Sequence, residues 1–269
     1  MICFPNAKIN LGLNVVSKRP DGYHNIETVF YPIPVRDALE IVPAEQTTFH
    51  QTGLSITGDP EQNLVMKALF RLQEKYGIPA LEIHLLKTIP FGAGLGGGSA
   101  DAAFMLKLVN DFCRLDISIK ELEEVAATIG ADCPFFIQNK PVFASGTGNI
   151  FEPVSLSLKN YHLVLVKPDI AVSTPKAYSM IKPAPAAVSL KEIIRTPVNQ
   201  WKDSMINDFE EVVFSQHPEI RKIKEDLYAA GAIYAAMSGS GSSVFGLFEN
   251  PVSLKELFCE HYVWEGALD

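Results

Sequence analysis

The sequence predicts an α+β protein organised as two units, 1–155 and 156–269. Three observations lead there. The 269 residues, 47% of them hydrophobic, suffice for one large or two ordinary cores. Leu81, Ile83 and Leu85 alternate with Glu82 and His84, which describes a half-exposed strand of an antiparallel or mixed sheet, unlike the wholly buried strand that opens a dinucleotide-binding βαβ unit. Near the end of the chain, Gly239-Ser240-Gly241 joins two apolar strand patterns directly, with no helix between them.

In chain order, strand patterns occur at 7–17, 25–31 and 38–43, with the turn residues Pro20-Asp21-Gly22 between the first two. A helix is predicted over 63–76, where Leu64, Ala68, Leu72 and Tyr76 keep a period-four face and Gly77 stops it. The strand at 81–85 leads into a glycine-rich loop and a helix over 100–113, with Ser99 as its expected N-cap. A further helix over 119–129 ends at Gly130. The second unit opens with a strand at 162–167 and passes through a Pro- and Ala-rich surface connection at 182–188. Helices over 198–215 and 218–230, then the two strands flanking Ser238 to Ser242, complete it.

The glycine-rich loop is the segment that carries chemistry. Gly92, Gly94, Gly96, Gly97 and Gly98 lack Cβ atoms, so they accept positive φ and let backbone N–H groups approach an anion, while the helix behind them adds free N–H groups and a positive dipole end. Such a loop is built for phosphate. Gly92, Gly94 and Gly97 satisfy G-x-G-x-x-G, but no acidic strand end follows about 20 residues later as ribose binding requires. No glycine is followed by lysine, which excludes a Walker A loop, and neither H-R-D nor D-F-G occurs.

Composition narrows the partners. With 23 basic and 31 acidic residues the net charge is −8, a poor balance for a nucleic-acid groove or an anionic membrane surface. Phosphate must then be held by local dipoles, a few lysines and a metal. Cys3, Cys113, Cys133 and Cys259 form no C-x-x-C pair and read as reduced thiols of a cytoplasmic protein. No secretory leader and no membrane span is evident.

Two residues answer the need for a base and a positive charge. On the first strand Lys8, Asn10, Gly12 and Asn14 share one face opposite Ile9, Leu11, Leu13 and Val15, so they form either a cleft wall or an ordinary solvated face. Asp132 suits a general base or the N-cap of a short turn at Cys133-Pro134. Pattern alone leaves both pairs of readings open.

Five segments together decide more. FPNAKINLGL at 4–13, RPDGYHNIETVF at 19–30, PFGAGLGGGSADAA at 90–103, IGADCPFF at 129–136 and MSGSGSSVFGLF at 237–248 resemble the GHMP kinases, whose ATP loop reads P-x-x-x-G-L-G-S-S, and they run in the family's order along nearly the whole chain. The longer form GLGGGSADAA is similar to the branch that acts on an alcohol carrying a cytidine diphosphate. The resemblance implies a two-domain GHMP kinase fold, with an N-terminal domain like ribosomal protein S5 domain 2 and a ferredoxin-like C-terminal domain. It implies ATP-dependent phosphorylation of the 2-hydroxyl of 4-diphosphocytidyl-2-C-methyl-D-erythritol, with Mg2+, and leaves a homodimer open. A kinase for another small alcohol, or a nucleotide binder without turnover, is the alternative.

By the same resemblance Lys8 and Asp132 are catalytic, the aspartate taking the hydroxyl proton. The ATP contacts fall on Pro90, Phe91, Gly92, Ala93, Gly94, Leu95, Gly96, Gly97, Gly98, Ser99 and Ala100, with Asn63 and Lys87 near adenine and the Ser99 hydroxyl as the metal ligand. As bland readings, Asn63 is a helix N-cap and Lys87 a solvated strand-end lysine. Tyr23 and Tyr178 match the aromatic pair that sandwiches cytosine, His24 reads the base edge, and Asn10, Gly239 and Gly241 line the substrate. The chain departs from the family at Asn6, at Ala100 and in the loop Gly146-Thr147-Gly148-Asn149, where a phosphate contact is in doubt.

Overall fold

The computed structural model describes residues 1–54 and 62–268. By contacts the chain forms two compact units that interleave along the sequence: 1–7, 35–91 and 96–140 make the first, and 8–34, 92–95 and 141–269 the second. A cut near residue 155 divides the chain by sequence alone, whereas these units each collect separated segments.

In the first unit, β1 (Ile2–Cys3), β4 (Ala38–Pro43), β6 (Leu81–Lys87) and β5 (Thr48–Gly53) form a sheet in that spatial order. β4 is antiparallel to β1 and β6, while β5 is parallel to β6, so the sheet is mixed as the alternation at 81–85 predicts. Leu81, Ile83 and Leu85 point inward, and His84 stands exposed on the other face. α1 (Leu64–Gln73) and α2 (Gly97–Cys113) pack on each other, and Ala68, Leu72, Ala103 and Leu106 are among the residues they bury. Asn63 caps α1, its side chain accepting from the Val65 N–H, and Ser118 caps α3 (Ile119–Ala127) by accepting from the Glu121 N–H. The short α4 (Phe135–Gln138) follows.

The second unit holds most of β2 (Asn6–Lys18) and β3 (His24–Arg36), which form a sheet with β7 (Val142–Ser145) and β8 (Ile150–Pro153) in the order β2-β3-β7-β8. A further sheet is wholly antiparallel, in the order β10 (Tyr234–Met237), β11 (Val244–Phe248), β9 (His162–Lys167), β12 (Tyr262–Ala267). Numbered by their own sequence, these four strands run 4-1-3-2 across the sheet from β12, the ferredoxin-like arrangement. The connection from β11 to β12 consists of turns in place of the second helix of that pattern. α5 (Thr174–Met180) and α6 (Leu190–Ile193) lie between β9 and the two longer helices α7 (Phe209–Gln216) and α8 (Pro218–Ala229). Phe209, Val213, Ile220, Ile223 and Leu227 from α7 and α8 form one core with Val164, Val166, Ala235, Met237 and Val244 of the sheet.

Several elements differ from the sequence reading. The helix expected over 198–215 is a 3-10 turn at Val198–Gln200 and the separate α7. What breaks it is tertiary: Leu13 donates to the Ile206 carbonyl and Asp208 donates to the Leu13 carbonyl, pulling 206–208 into a parallel bridge beside β2. Ser99 is not the cap of α2; the N-cap is Gly96, at φ 69°. β5, β7, β8 and β12 went unforeseen because they are short or edge strands with polar residues among few buried ones.

Candidate active site

Gly92, Gly94 and Gly96 sit at φ 61°, 75° and 69°, the left-handed region that only glycine enters at little cost. Gly97 and Gly98 are helical instead, as the first residues of α2. A Cβ on Gly97 would stand 2.8 Å from Ile89 Cγ2, so that glycine serves close packing of α2 against the segment that follows β6. The first turn of α2 keeps its N–H groups free of intrahelical partners, and Ser99 lies there, half-exposed, with its hydroxyl favouring the thiolate form of nearby Cys133. Burial pushes the Cys133 thiol up to about 11 and Cys3 up to about 12, so neither is a thiolate nucleophile at neutral pH.

The first strand is not solvated on either face. Lys8 is 4% exposed, and Asn10 and Asn14 are buried with it. The Lys8 ammonium donates to Asn10 Oδ1 at 2.6 Å and to the Gly94 carbonyl at 3.2 Å, and it lies 4.8 Å from the Phe30 ring centroid. The Lys8 backbone N–H donates to the Leu95 carbonyl at 2.9 Å. Asn10 is itself oriented, because its Nδ2 donates to Thr28 Oγ1 at 2.9 Å and that hydroxyl donates to the Gly12 carbonyl at 2.6 Å. Thr28, buried on β3, lies inside the segment RPDGYHNIETVF, but the sequence gives it no role beside Asn10. Asp132 is half-exposed in the turn before α4, whose N-cap position is Pro134, so the carboxylate does not serve as that helix's cap.

Lys87 is placed differently from its bland reading. It is 2% exposed, and its ammonium donates to the carboxylates of Asp37 and, at 2.7 Å, of Asp101. Asp37 also accepts from the backbone N–H groups of Thr88 and Ile89 at 2.6 and 2.9 Å, which fixes the strand end leading to the glycine loop. Burial pushes the Asp101 carboxyl upward, against the pull of Lys87. Asp37 lies in none of the quoted motifs, and Asp101, though inside GLGGGSADAA, is assigned no role by the sequence. Only folding brings positions 37, 87 and 101 together.

His24 and Tyr178 stack at 4.9 Å between ring centroids and 16° between planes, and Tyr178 meets Phe209 edge-on at 4.8 Å. Tyr23 is 68% exposed, so the ring stacked on Tyr178 here is His24. Burial and the nearby Lys18 charge push the His24 pKa down, leaving a neutral imidazole with one donor and one acceptor at pH 7. Gly239 and Gly241 both adopt positive φ, at 57° and 92°, in the tight connection between β10 and β11.

The model of the GHMP kinases N terminal domain matches residues 63–140, and that of the GHMP kinases C terminal matches residues 190–261. The chain belongs to the GHMP kinase family. A protein of Parabacteroides distasonis named 4-diphosphocytidyl-2-C-methyl-D-erythritol kinase is 72% identical over 270 residues, covering 100% of both chains. A Porphyromonas gingivalis protein of the same name is 51% identical over 273 residues, again with 100% of both chains covered. The crystal structure of a 4-(cytidine 5'-diphospho)-2C-methyl-D-erythritol kinase superposes with a TM-score of 0.87 at 32% identity, covering 100% of this chain and 99% of that one. The mevalonate kinase of Methanococcus jannaschii, at 15% identity and a TM-score of 0.71 over 100% of this chain and 98% of that one, shares the fold. Like other GHMP kinases, this one uses ATP.

Proposed function

We propose that this GHMP kinase transfers the γ-phosphoryl group of ATP to the 2-hydroxyl of 4-diphosphocytidyl-2-C-methyl-D-erythritol, a step toward isoprenoid precursors by the non-mevalonate route, and that it does so as a cytoplasmic enzyme. The observation that carries the reading is Lys8: a nearly buried ammonium hydrogen-bonded to a carbonyl of the glycine loop itself. Charge positioned at a phosphate cradle is what phosphoryl transfer needs, because the transition state spreads negative charge over the moving group. The substrate assignment is supported by relatives of that name that align along the full chain.

In this mechanism the free N–H groups at the glycine loop and the start of α2 hold phosphate oxygens. Lys8, aimed by Asn10 and Gly94, stabilises the transferring group, and Asp132 accepts the proton of the 2-hydroxyl. Among the described residues no cluster of three His, Cys, Asp or Glu side chains could hold a metal. Ser99, at the first turn of α2, is the side chain that would hold a Mg2+ whose remaining ligands would come from phosphate and water. That ion would supply neutralisation of the β- and γ-phosphate charge. His24, neutral and stacked on Tyr178, has the donor and acceptor that distinguish cytosine from uracil. Among the described residues no helix is long and apolar enough to cross a membrane.

ADP release measured with a panel of acceptors tests the assignment. Turnover is expected with the diphosphocytidyl compound and not with mevalonate, homoserine or methylerythritol phosphate. Equal use of methylerythritol acceptors with and without the cytidine diphosphate would overturn it in favour of a different alcohol.

A further inference from the structure

Ser238 lies in the second glycine segment, 0% exposed, and its hydroxyl joins two pieces of chain far away in sequence. It donates to the Gly94 carbonyl at 2.8 Å and accepts from the Asn10 backbone N–H at 3.2 Å. The Gly94 carbonyl is the same atom to which Lys8 Nζ donates, and Asn10 Oδ1 also accepts from that ammonium. Lys8, Asn10, Ser238 and Gly94 thus close a ring of hydrogen bonds. The contact has no slack: a Cβ on Gly94 would stand 2.0 Å from the Ser238 carbonyl oxygen, and one on Gly239 3.2 Å from Gly94 Cα. Ser238 is held in turn by Asn207, buried, whose Nδ2 donates to the carbonyls of Met237 and Gly239 at 2.7 and 2.8 Å while its Oδ1 accepts from the Phe209 N–H at 3.0 Å.

We propose that Ser238 is a positioning residue for phosphoryl transfer, setting the Lys8 ammonium against the phosphate loop through their shared Gly94 carbonyl. The inference rests on Lys8 acting in the reaction as described above. Without the hydroxyl, the Asn10 N–H loses its acceptor, the Gly94 carbonyl loses a donor, and two groups that aim Lys8, the Asn10 amide oxygen and the Gly94 carbonyl, lose a tie that fixes them. A displacement of the ammonium by a fraction of an ångström lowers the transfer rate more than nucleotide affinity, since many backbone N–H groups grip the phosphates and one ammonium meets the moving group.

A double-mutant cycle separates this role from a merely structural one. Ser238→Ala is expected to lower kcat by about ten- to a hundredfold while the KM for ATP changes less than about threefold. In a Lys8→Met background the same change is expected to cost less than about threefold, because a residue acting through Lys8 has nothing left to position. An equal fold-loss in both backgrounds, a loss confined to KM, or no loss would overturn the proposal. Should Ser238→Ala fail to fold, Ser238→Cys, which keeps the size and a weak donor, is measured in the same cycle with an intermediate loss expected. Turnover of the unmutated protein with the diphosphocytidyl acceptor is the control. Its absence breaks the acceptor assignment alone, and the cycle is then read on phosphoryl transfer to water, as ADP released without acceptor.

Discussion

Two lysines of this chain are nearly sealed from water, and their partners differ in kind. Lys87 is clasped by the carboxylates of Asp37 and Asp101, while the partners of Lys8 include the Asn10 amide oxygen and a main-chain carbonyl of the glycine loop. A carboxylate pair compensates a buried ammonium and binds three separate stretches of chain together, at the price of fixing the charge in place. An amide oxygen and a loop carbonyl aim an ammonium at the glycine loop that carries one of them. Burial alone therefore does not distinguish the two lysines. What separates them is that one acceptor of Lys8 belongs to the glycine loop.

The comparison breaks most visibly in turnover. Lys8→Met is expected to lower kcat by roughly 10³-fold or more, and Asp132→Asn by roughly 10²- to 10⁴-fold, with a modest change in ATP affinity and a cooperative melt near that of the unmutated protein. Steady-state kinetics beside calorimetric ATP titration check this. Near-normal turnover in either variant would remove that residue from the mechanism.

Lys87→Met should show the opposite signature. It leaves two buried carboxylates facing each other without their cation, a loss of about 3–5 kcal/mol of stability, read from urea unfolding. Adding Asp101→Asn should restore part of it, since one of the stranded charges is then gone. A Lys87→Met protein that is fully stable yet loses ATP affinity would make Lys87 a nucleotide contact instead of a brace.

The smallest effect is expected where the ligand is read by stacking. Tyr178→Ala removes one aromatic face, worth about 1–3 kcal/mol, and should lower kcat/KM for the diphosphocytidyl acceptor roughly ten- to a hundredfold. Stability should fall as well, because Tyr178 packs edge-on against Phe209 in the core. Unchanged kcat/KM would place base recognition away from the His24–Tyr178 stack.

The alternation at 81–85 specified a half-exposed strand in a mixed sheet, and the structure contains it, because period-two burial is a local property of the chain. The glycines from 92 to 96 marked a loop of positive φ for the same reason, since that conformation at Gly92, Gly94 and Gly96 depends on the residue itself. Reading Gly97 and Gly98 in the same way failed, because what Gly97 needs is room beside Ile89, a neighbour outside the loop. The N-cap of α2 was misplaced likewise: a serine favours a cap locally, but a glycine at φ 69° begins the helix three residues earlier.

By itself, then, the sequence determined the α+β class, the glycine loop, the family motifs and the pairing of apolar and polar faces along each strand, all of which follow from local sterics and periodicity. The tertiary structure decided which polar groups became partners. Thr28 at Asn10, Ser238 at Gly94, Asn207 at the second glycine segment, and Asp37 with Asp101 at Lys87 are each joined across many residues of chain. No local pattern encodes such a pairing. A polar group buried without a partner is costly to the whole fold, and the partner is whichever donor or acceptor the packing brings within reach.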